Sequence, residues 1–154
     1  MRVQVFAAAL AVVFTGSAIA FAATGTRVQA RPDLVVASLS NPPGVVLQGH
    51  TFQVHDGTRN RGRATAGHTV TQYYLTSAST GVRKAVGNRP VPRLRAGHRS
   101  LGHGTVLASS SLEAGTYSLV ACADGGHAVR ESNEPNNCRT AATTVVVEKP
   151  LPPV

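Results

Sequence analysis

Aromatic residues are scarce in this chain of 154 residues. Tryptophan is absent, and three of the four phenylalanines lie within the first 21 residues. The rest of the chain can therefore build only a core with few aromatic side chains, which are Phe52, Tyr73, Tyr74 and Tyr117. No aromatic residue lies in the arginine-rich stretch 76–116, which excludes there the stacking platform that single-stranded nucleic acid needs. We therefore expect no nucleic-acid partner.

Sequence motifs of enzyme active sites are also absent. The chain has no G-x-S-x-G elbow, no H-E-x-x-H, no phosphate-binding loop and no dinucleotide fingerprint. Serines are numerous, but none has a recognisable base nearby in the sequence, although triads can assemble from distant segments. We therefore expect a protein that is not an enzyme and has no cofactor, apart from the Ca²⁺ considered below.

The N-terminal segment has almost no charge. After Arg2 it is almost wholly apolar up to Phe21, with an interruption at Gly16-Ser17 and small-x-small sites at residues 18–20 and 20–22. This pattern predicts a secretory signal peptide over residues 1–22, so that the mature protein is extracellular or periplasmic and has no stable membrane span. The alternative is an uncleaved anchor, because roughly 20 apolar residues can cross a bilayer. The lack of a cysteine near the cleavage sites argues against a lipid-modified N-terminus.

The chain has only two cysteines, and they flank the loop of a predicted hairpin. Alternation over residues 117–123 predicts a strand, the turn at 124–126 ends it, and Cys138 opens a second strand. If the strands pair, Cys122 and Cys138 have Cα atoms about 4.5–5.5 Å apart, within disulfide range. In an exported domain with few aromatic residues we expect this disulfide, with its sulfurs pointing away from the core. A reactive Cys122 thiol beside His127 is the alternative.

Long segments with helical periodicity are lacking, whereas turn-forming residues are abundant, with 15 glycines and 9 prolines. Short alternating segments separated by turns predict an all-β, antiparallel β-sandwich of about seven strands in residues 33–148. A flexible lead-in is expected at residues 23–32 and a proline-rich tail at 149–154. Gly115, two residues before Tyr117, is typical of the tyrosine corner of immunoglobulin-like sandwiches.

Several short motifs follow one another in the order of a known family. They are P-D-L-V-V at 32–36, N-R-G at 60–62, L-R-A-G at 94–97, A-G-T-Y at 114–117 and V-R-E-S-N-E-P-N-N at 129–137. In this order and spacing they resemble the CARDB domain, the cell adhesion related domain found in bacteria. The last motif is the most specific. The resemblance implies a seven-stranded immunoglobulin-like sandwich and an exported, non-catalytic module of surface proteins.

Asp56 interrupts a strand that otherwise alternates. Phe52 and Val54 are apolar, but Asp56-Gly57 breaks the series, and the CARDB family usually has an apolar residue there. We therefore expect either a bulge at this point or a strand whose far half reaches a sheet edge.

The loop between the cysteines is rich in side-chain oxygens. Its candidate metal ligands are Asp124, Glu131, Glu134, Asn136 and Asn137. Ca²⁺ takes several oxygen ligands at about 2.3–2.6 Å, which such a loop can supply. The alternative, which we prefer because the spacing is not that of an EF-hand, is a loop that locks itself. Its side chains then bond backbone N–H groups, and Arg130 or Arg139 pairs with the acids. We expect this loop to be the functional edge.

The chain is strongly basic, with a formal net charge of +8. One cluster of cations comprises Arg59, Arg61 and Arg63. The second comprises Arg83, Lys84, Arg89, Arg93, Arg95 and Arg99, which we consider as a candidate polyanion-binding set. Basic surfaces of exported proteins attract anionic polymers by screened Coulomb forces. The alternative, which we prefer at this point, is a set of solvated loops without a ligand.

The histidines show no metal-site spacing along the chain. His50 and His55 are five residues apart on a predicted strand and so lie on opposite faces. His98 and His103 are separated by a glycine-containing turn. We therefore expect the histidines to lie on the surface and in turns rather than to bind a metal.

Together these patterns predict a secreted, non-catalytic binding or adhesion module of the bacterial cell surface or envelope, with a protein or glycan partner. Two alternatives are a Ca²⁺-stabilised structural module and an electrostatic binder of anionic polymers through its arginine-rich loops. The sequence leaves the identity of the partner and the oligomeric state open.

Overall fold

A computed structural model describes residues 29–152 of the chain. The predicted signal peptide at 1–22 and most of the predicted lead-in at 23–32 lie outside the described residues, as do the last two residues. The described part contains eight strands: β1 (Leu34–Leu39), β2 (Val45–Leu47), β3 (Thr51–Asn60), β4 (Thr69–Ser77), β5 (Arg83–Val91), β6 (Arg99–Leu107), β7 (Gly115–Cys122) and β8 (Cys138–Glu148). In this part of the chain, no helix could cross a membrane.

The eight strands form two sheets that pack face to face. One sheet has the order β1-β3-β6, and the other has the order β2-β8-β7-β4-β5. Neighbouring strands are antiparallel except β2, which pairs in parallel with the end of β8. The sequence predicts about seven strands, and the additional one is β2, which has three residues. It follows Asn41–Gly44, whose two prolines cannot donate ladder hydrogen bonds, so the chain leaves the first sheet there and joins the second.

The core lies between the two sheets and uses the inward faces that alternation predicts. Tyr117, Leu119 and Ala121 of β7 belong to it. Tyr73 of β4 is its largest fully buried side chain. Tyr117 forms the predicted tyrosine corner, because its hydroxyl donates to the carbonyl oxygen of Glu113 at 2.8 Å. The prediction of an immunoglobulin-like antiparallel β-sandwich is confirmed.

The two cysteines lie at the base of the predicted hairpin. β7 and β8 pair with Cys122 directly opposite Cys138, and a disulfide joins them, so neither is a free thiol. Cys122 lies on the face of β7 opposite to Ala121, which is a core residue. The sulfurs therefore point away from the core, as expected, although Cys122 is only 6% exposed.

β3 passes Asp56 without a bulge and away from any sheet edge. It is the middle strand of its sheet, and its pairing with β6 stays in register through Asp56, which is opposite Gly102. The irregularity lies in the partner strand β1, between Val36 and Ser38. Because Asp56 is buried in the middle of the sheet, the prediction of a bulge or an edge there is wrong.

Candidate functional site: an arginine-rich end of the sandwich

Three loops and the segment before β1 meet at one end of the sandwich, which we call the arginine end. It comprises residues 29–33, 59–68, 92–99 and 123–137. The buried side-chain amide of Asn60 donates to the carbonyl oxygens of Ala64 at 2.8 Å and Leu94 at 3.0 Å. The backbone N–H of Asn60 donates to the carbonyl oxygen of His98 at 2.9 Å. Asn60 therefore joins two loops that the sequence places far apart.

Six exposed arginines lie in the segments 59–68 and 92–99 of this end. They are Arg59, Arg61, Arg63, Arg93, Arg95 and Arg99. Arg59 and Arg99 are directly opposite each other in the β3–β6 register, an arrangement in which like charges repel. Within residues 29–152, none of the six forms an ion pair with a carboxylate. These six guanidinium groups therefore face solvent without a direct ion pair to a carboxylate of the described chain.

The predicted polyanion-binding set does not stay together. Arg93, Arg95 and Arg99 lie at the arginine end. The pairing of β3 with β6 brings the first basic cluster, Arg59, Arg61 and Arg63, to the same end. Arg83 and Lys84 lie at the opposite end, where Arg83 pairs with Thr76 and Lys84 Nζ donates to the carbonyl oxygen of Ser111 at 2.8 Å. The two ends are separated by the length of β4, about 27 Å.

Arg89, which was expected to bind a polyanion at the surface, is buried between the sheets. Its Nε and Nη2 donate to the two carboxylate oxygens of Asp56, at 2.7 Å and 2.5 Å. The hydroxyl of Tyr73 donates to the same carboxylate at 2.5 Å. The assignment of Arg89 to the polyanion-binding set is therefore wrong, because its charge compensates that of Asp56 inside the core.

Two glycines of β6 make room for this cluster. A Cβ at Gly102 would lie 2.8 Å from Cδ of Arg89, and one at Gly104 would overlap the ring of Tyr73. Burial, reinforced by the hydrogen bond to Asp56, raises the pKa of Tyr73 far above its ordinary range. The hydrogen bond to Asp56 also raises the pKa of Arg89. The G-H-G sequence at residues 102–104 therefore indicates close packing at this point, but only the structure shows that Arg89 and Tyr73 are the residues packed there.

Asp124 closes the turn after β7 by accepting hydrogen bonds from the loop. Its Oδ1 accepts from the N–H of Ala128 at 3.0 Å, and its Oδ2 accepts from the N–H of Val129 at 2.9 Å. The hydroxyl of Thr69 also donates to Oδ1. Asp124 is fully buried and has a φ of +46°, a left-handed conformation that aspartate adopts more readily than most residues.

Glu131 ties the same loop to β1. Its carboxylate accepts hydrogen bonds from the backbone N–H of Leu34 and, at 2.8 Å, from Nδ2 of Asn137. Burial raises the pKa of Glu131 from 4.5 to about 7, against the opposing effect of these two hydrogen bonds. Glu134 in turn accepts from the backbone N–H of Glu131 at 3.0 Å.

The predicted Ca²⁺ ligands do not fit an ion. The three carboxylates of the set accept the hydrogen bonds just described. The buried side-chain oxygens without a partner, within residues 29–152, are Oδ1 of Asn136 and Oδ1 of Asn137. Two amide oxygens are fewer than the six to eight ligands that Ca²⁺ takes. In the described chain, no group of three or more His, Cys, Asp or Glu residues could hold a metal ion.

The loop locks itself, as the alternative interpretation expects, but with different donors. Arg139 Nη1 donates to the carbonyl oxygen of Ala37 at 3.0 Å, and Arg130 forms no ion pair among the described residues. Asp33 accepts from Nδ2 of Asn136 at 2.9 Å. Backbone and amide N–H groups therefore stabilise the acids of this end, and in the described part of the chain these acids form no ion pair with its arginines.

The two sheets, their strand order and the tyrosine corner define an immunoglobulin-like β-sandwich. The CARDB family matches residues 31–141, and the chain belongs to this family, as the sequence motifs predicted. CARDB is a cell-surface-associated domain family. A search of curated proteins found no match to the chain.

Three solved structures illustrate the fold. A CARDB domain of Pyrococcus furiosus in complex with di-metal ions is 23% identical, with a TM-score of 0.52 over 77% of this chain and 90% of that one. A domain of a candidate cell surface protein of Methanosarcina acetivorans is 23% identical, with a TM-score of 0.53 over 77% and 93%. A β-glucosidase of Erythrobacter marinus is 14% identical, with a TM-score of 0.52 over 76% of this chain and 16% of that one. At these identities the similarity shows the fold.

Proposed function

We propose that this chain is an exported, non-catalytic binding module whose arginine end holds an anionic polymer of the cell envelope. One observation carries the proposal. Within the described residues, the six exposed arginines of segments 59–68 and 92–99 form no ion pair with a carboxylate, while the neighbouring acids accept hydrogen bonds from their own loop. Membership of a cell-surface-associated family supports the setting.

The chemistry of guanidinium favours a polymer that carries carboxylate, sulfate or phosphate groups. Guanidinium groups bind such groups with two parallel hydrogen bonds. An anion between Arg59 and Arg99 would relieve the repulsion of two like charges that strand pairing places opposite each other. We propose an anionic glycan rather than nucleic acid, because the aromatic residues that could stack on bases lie outside the arginine end.

We propose binding without turnover. A glycoside hydrolase needs two carboxyl groups that face the substrate. Asp56 is engaged by Arg89 and Tyr73 inside the core, and Asp124 and Glu131 accept hydrogen bonds from the loop. The similarity to the β-glucosidase covers 16% of that protein and supports the fold alone.

A heparin column with a salt gradient tests the proposal, with heparin as the probe for sulfated and carboxylated glycans. The test variant is Arg61→Ser with Arg95→Ser, which removes two charges from the arginine end. The control is Arg83→Ser with Lys84→Ser, which removes two charges from the opposite end. We expect the wild type and the control to elute at the same salt concentration, and the test variant to elute at a clearly lower one.

Equal shifts for the two variants would contradict the proposal, because they would show attraction to net charge rather than to one surface. Elution of the wild type at the lowest salt concentration would contradict it as well. Retention of the wild type by duplex DNA at a higher salt concentration than by heparin would overturn the choice of a glycan.

A further inference from the structure

His55 and His103 lie side by side on the outer face of the three-stranded sheet. They are directly opposite each other in the antiparallel register of β3 and β6, and both are exposed. Their ring centroids are 6.0 Å apart and their planes are inclined by 59°. We propose that this pair binds a divalent transition-metal ion, with one nitrogen of each imidazole as a ligand.

The geometry of the strands suits such a site. A metal bound to both rings at about 2.0–2.1 Å needs the two nitrogens roughly 3.4 Å apart in a tetrahedral arrangement and roughly 2.9 Å apart at neighbouring corners of a tetragonal one. Paired strands already hold the Cα atoms of opposed residues about 4.5–5.5 Å apart. The rings are exposed and inclined rather than stacked, so small rotations of the side chains bring one nitrogen of each to a shared point.

The backbone of His55 is also hydrogen-bonded on the side away from β6, to the residue that follows β1. Its N–H donates to the hydroxyl oxygen of Ser40 at 2.9 Å, and its carbonyl oxygen accepts from the N–H of Ser40 at 2.8 Å. The backbone that carries one ligand is therefore fixed before the ion arrives, so that only side-chain rotation remains to be ordered on binding.

The charges near the pair do not prevent cation binding. The depression that contains both histidines is otherwise lined by Ser38, Leu39, Ser40, Asp56, Leu101 and Gly102. The Asp56 carboxylate turns away into the core toward Arg89. The cations Arg59 and Arg99 on the same strands lie four residues further along, about 13 Å away. That distance exceeds the Debye length of about 8 Å at physiological ionic strength.

The ligand type selects the ion. Imidazole nitrogen suits Cu²⁺, Ni²⁺ and Zn²⁺, and Cu²⁺ binds most tightly in the series of divalent first-row metals. Ca²⁺ requires oxygen ligands. Two protein ligands leave the remaining coordination positions to water, so the ion can accept a further ligand from solution.

The site is tested by titrating the metal-free protein with CuSO₄, followed by calorimetry and by electron paramagnetic resonance. We expect one Cu²⁺ per chain with two nitrogen ligands. His55→Ala and His103→Ala each remove one of the two linked contacts and should weaken binding about 100-fold. The control His50→Ala with His98→Ala removes two exposed histidines that do not belong to the pair and should leave the affinity within about twofold.

Each outcome decides the proposal. Zn²⁺ should compete with Cu²⁺ for the site, and Ca²⁺ should not. Loss of affinity in the control as large as in His55→Ala would show diffuse binding to surface histidines and would overturn the proposal. An unchanged nitrogen signal in His103→Ala, or no binding by the wild type, would overturn it as well. Circular dichroism verifies that the variants keep the sandwich.

Discussion

Asp56 and Asp124 are both buried carboxylates, 3% and 0% exposed, but they are stabilised in different ways. Asp56 lies between the sheets and has a guanidinium as its counter-ion, with the Tyr73 hydroxyl as a further donor. Asp124 lies in the loop after β7 and is held by two backbone N–H groups and one hydroxyl, with no cation. Glu131 follows the second pattern.

The difference determines where positive charge remains on the surface. Asp56 pairs with Arg89 inside the core, because a charge buried between sheets needs an opposite charge, and Arg89 is therefore absent from the basic surface. The loop acids lie beside dipoles of the backbone that would otherwise lack partners. Within the described chain, these loop acids therefore form no ion pair with the arginines near them, and the guanidinium groups of the arginine end face solvent, where a ligand can reach them.

The largest expected effect comes from removing the cation of the core site. Arg89→Ala leaves the carboxylate of Asp56 buried and uncompensated, so we expect a loss of about 3–5 kcal/mol in the free energy of unfolding, measured with urea. Arg83→Ala, which removes an exposed arginine, should change it by less than about 0.5 kcal/mol. The double variant Asp56→Ala with Arg89→Ala should lose less than the sum of the single variants. Additive losses would show that the two charges are not coupled.

A smaller effect is expected in the loop site. Asp124→Ala leaves the backbone N–H groups of Ala128 and Val129 without acceptors, but it leaves no buried charge. We expect a loss of about 1–3 kcal/mol in the same urea experiment. Hydrogen exchange at these two amides should accelerate. A loss as large as that of Arg89→Ala would show that the two acid sites do not differ in the way described.

The pH dependence of stability should separate the loop site further. The pKa of Glu131 is about 7 in the folded protein and near 4.5 in the unfolded chain. Between these values the folded state binds more protons, so the contribution of Glu131 to stability falls as the pH rises through this window. Glu131→Gln should remove this slope. Subtracting the pH–stability curve of the variant from that of the wild type separates the contribution of Glu131 from that of the histidines. Parallel curves would contradict the raised pKa of Glu131.

The smallest expected effect is that of Ca²⁺. The carboxylates of the loop already accept N–H donors, so millimolar Ca²⁺ added to the metal-free protein should leave the melting temperature unchanged. The P. furiosus domain was solved in complex with di-metal ions, which makes the measurement informative. A rise in melting temperature that Asp124→Ala abolishes would show that the loop opens its hydrogen bonds to an ion.

Local patterns in the sequence predicted much of the fold. Period-two alternation identified the core face of β7, and the spacing of the two cysteines across a turn identified the hairpin and its disulfide. The tyrosine corner followed from a glycine and a tyrosine two residues apart. Each of these features involves residues of one strand or one hairpin, so the sequence order already brings them together.

The site was predicted only in part, because it depends on contacts between distant segments. Arg89 is separated from Asp56 by 33 residues, and nothing local indicates that they pair. The histidines were compared within their own strands, whereas β3 and β6 bring one histidine of each pair together. Arg93, Arg95 and Arg99 of the second basic cluster lie at the same end as the first cluster, but the two clusters were counted separately in the sequence.

The sequence by itself determined the β-sandwich, its hairpin and its family, because strand periodicity and turn chemistry act over a few residues. Only the tertiary structure decided which charges are buried and which face solvent. Sheet pairing and the packing of one sheet on the other set those positions, and the cost of burying a charge then selects the partner that each acid must have.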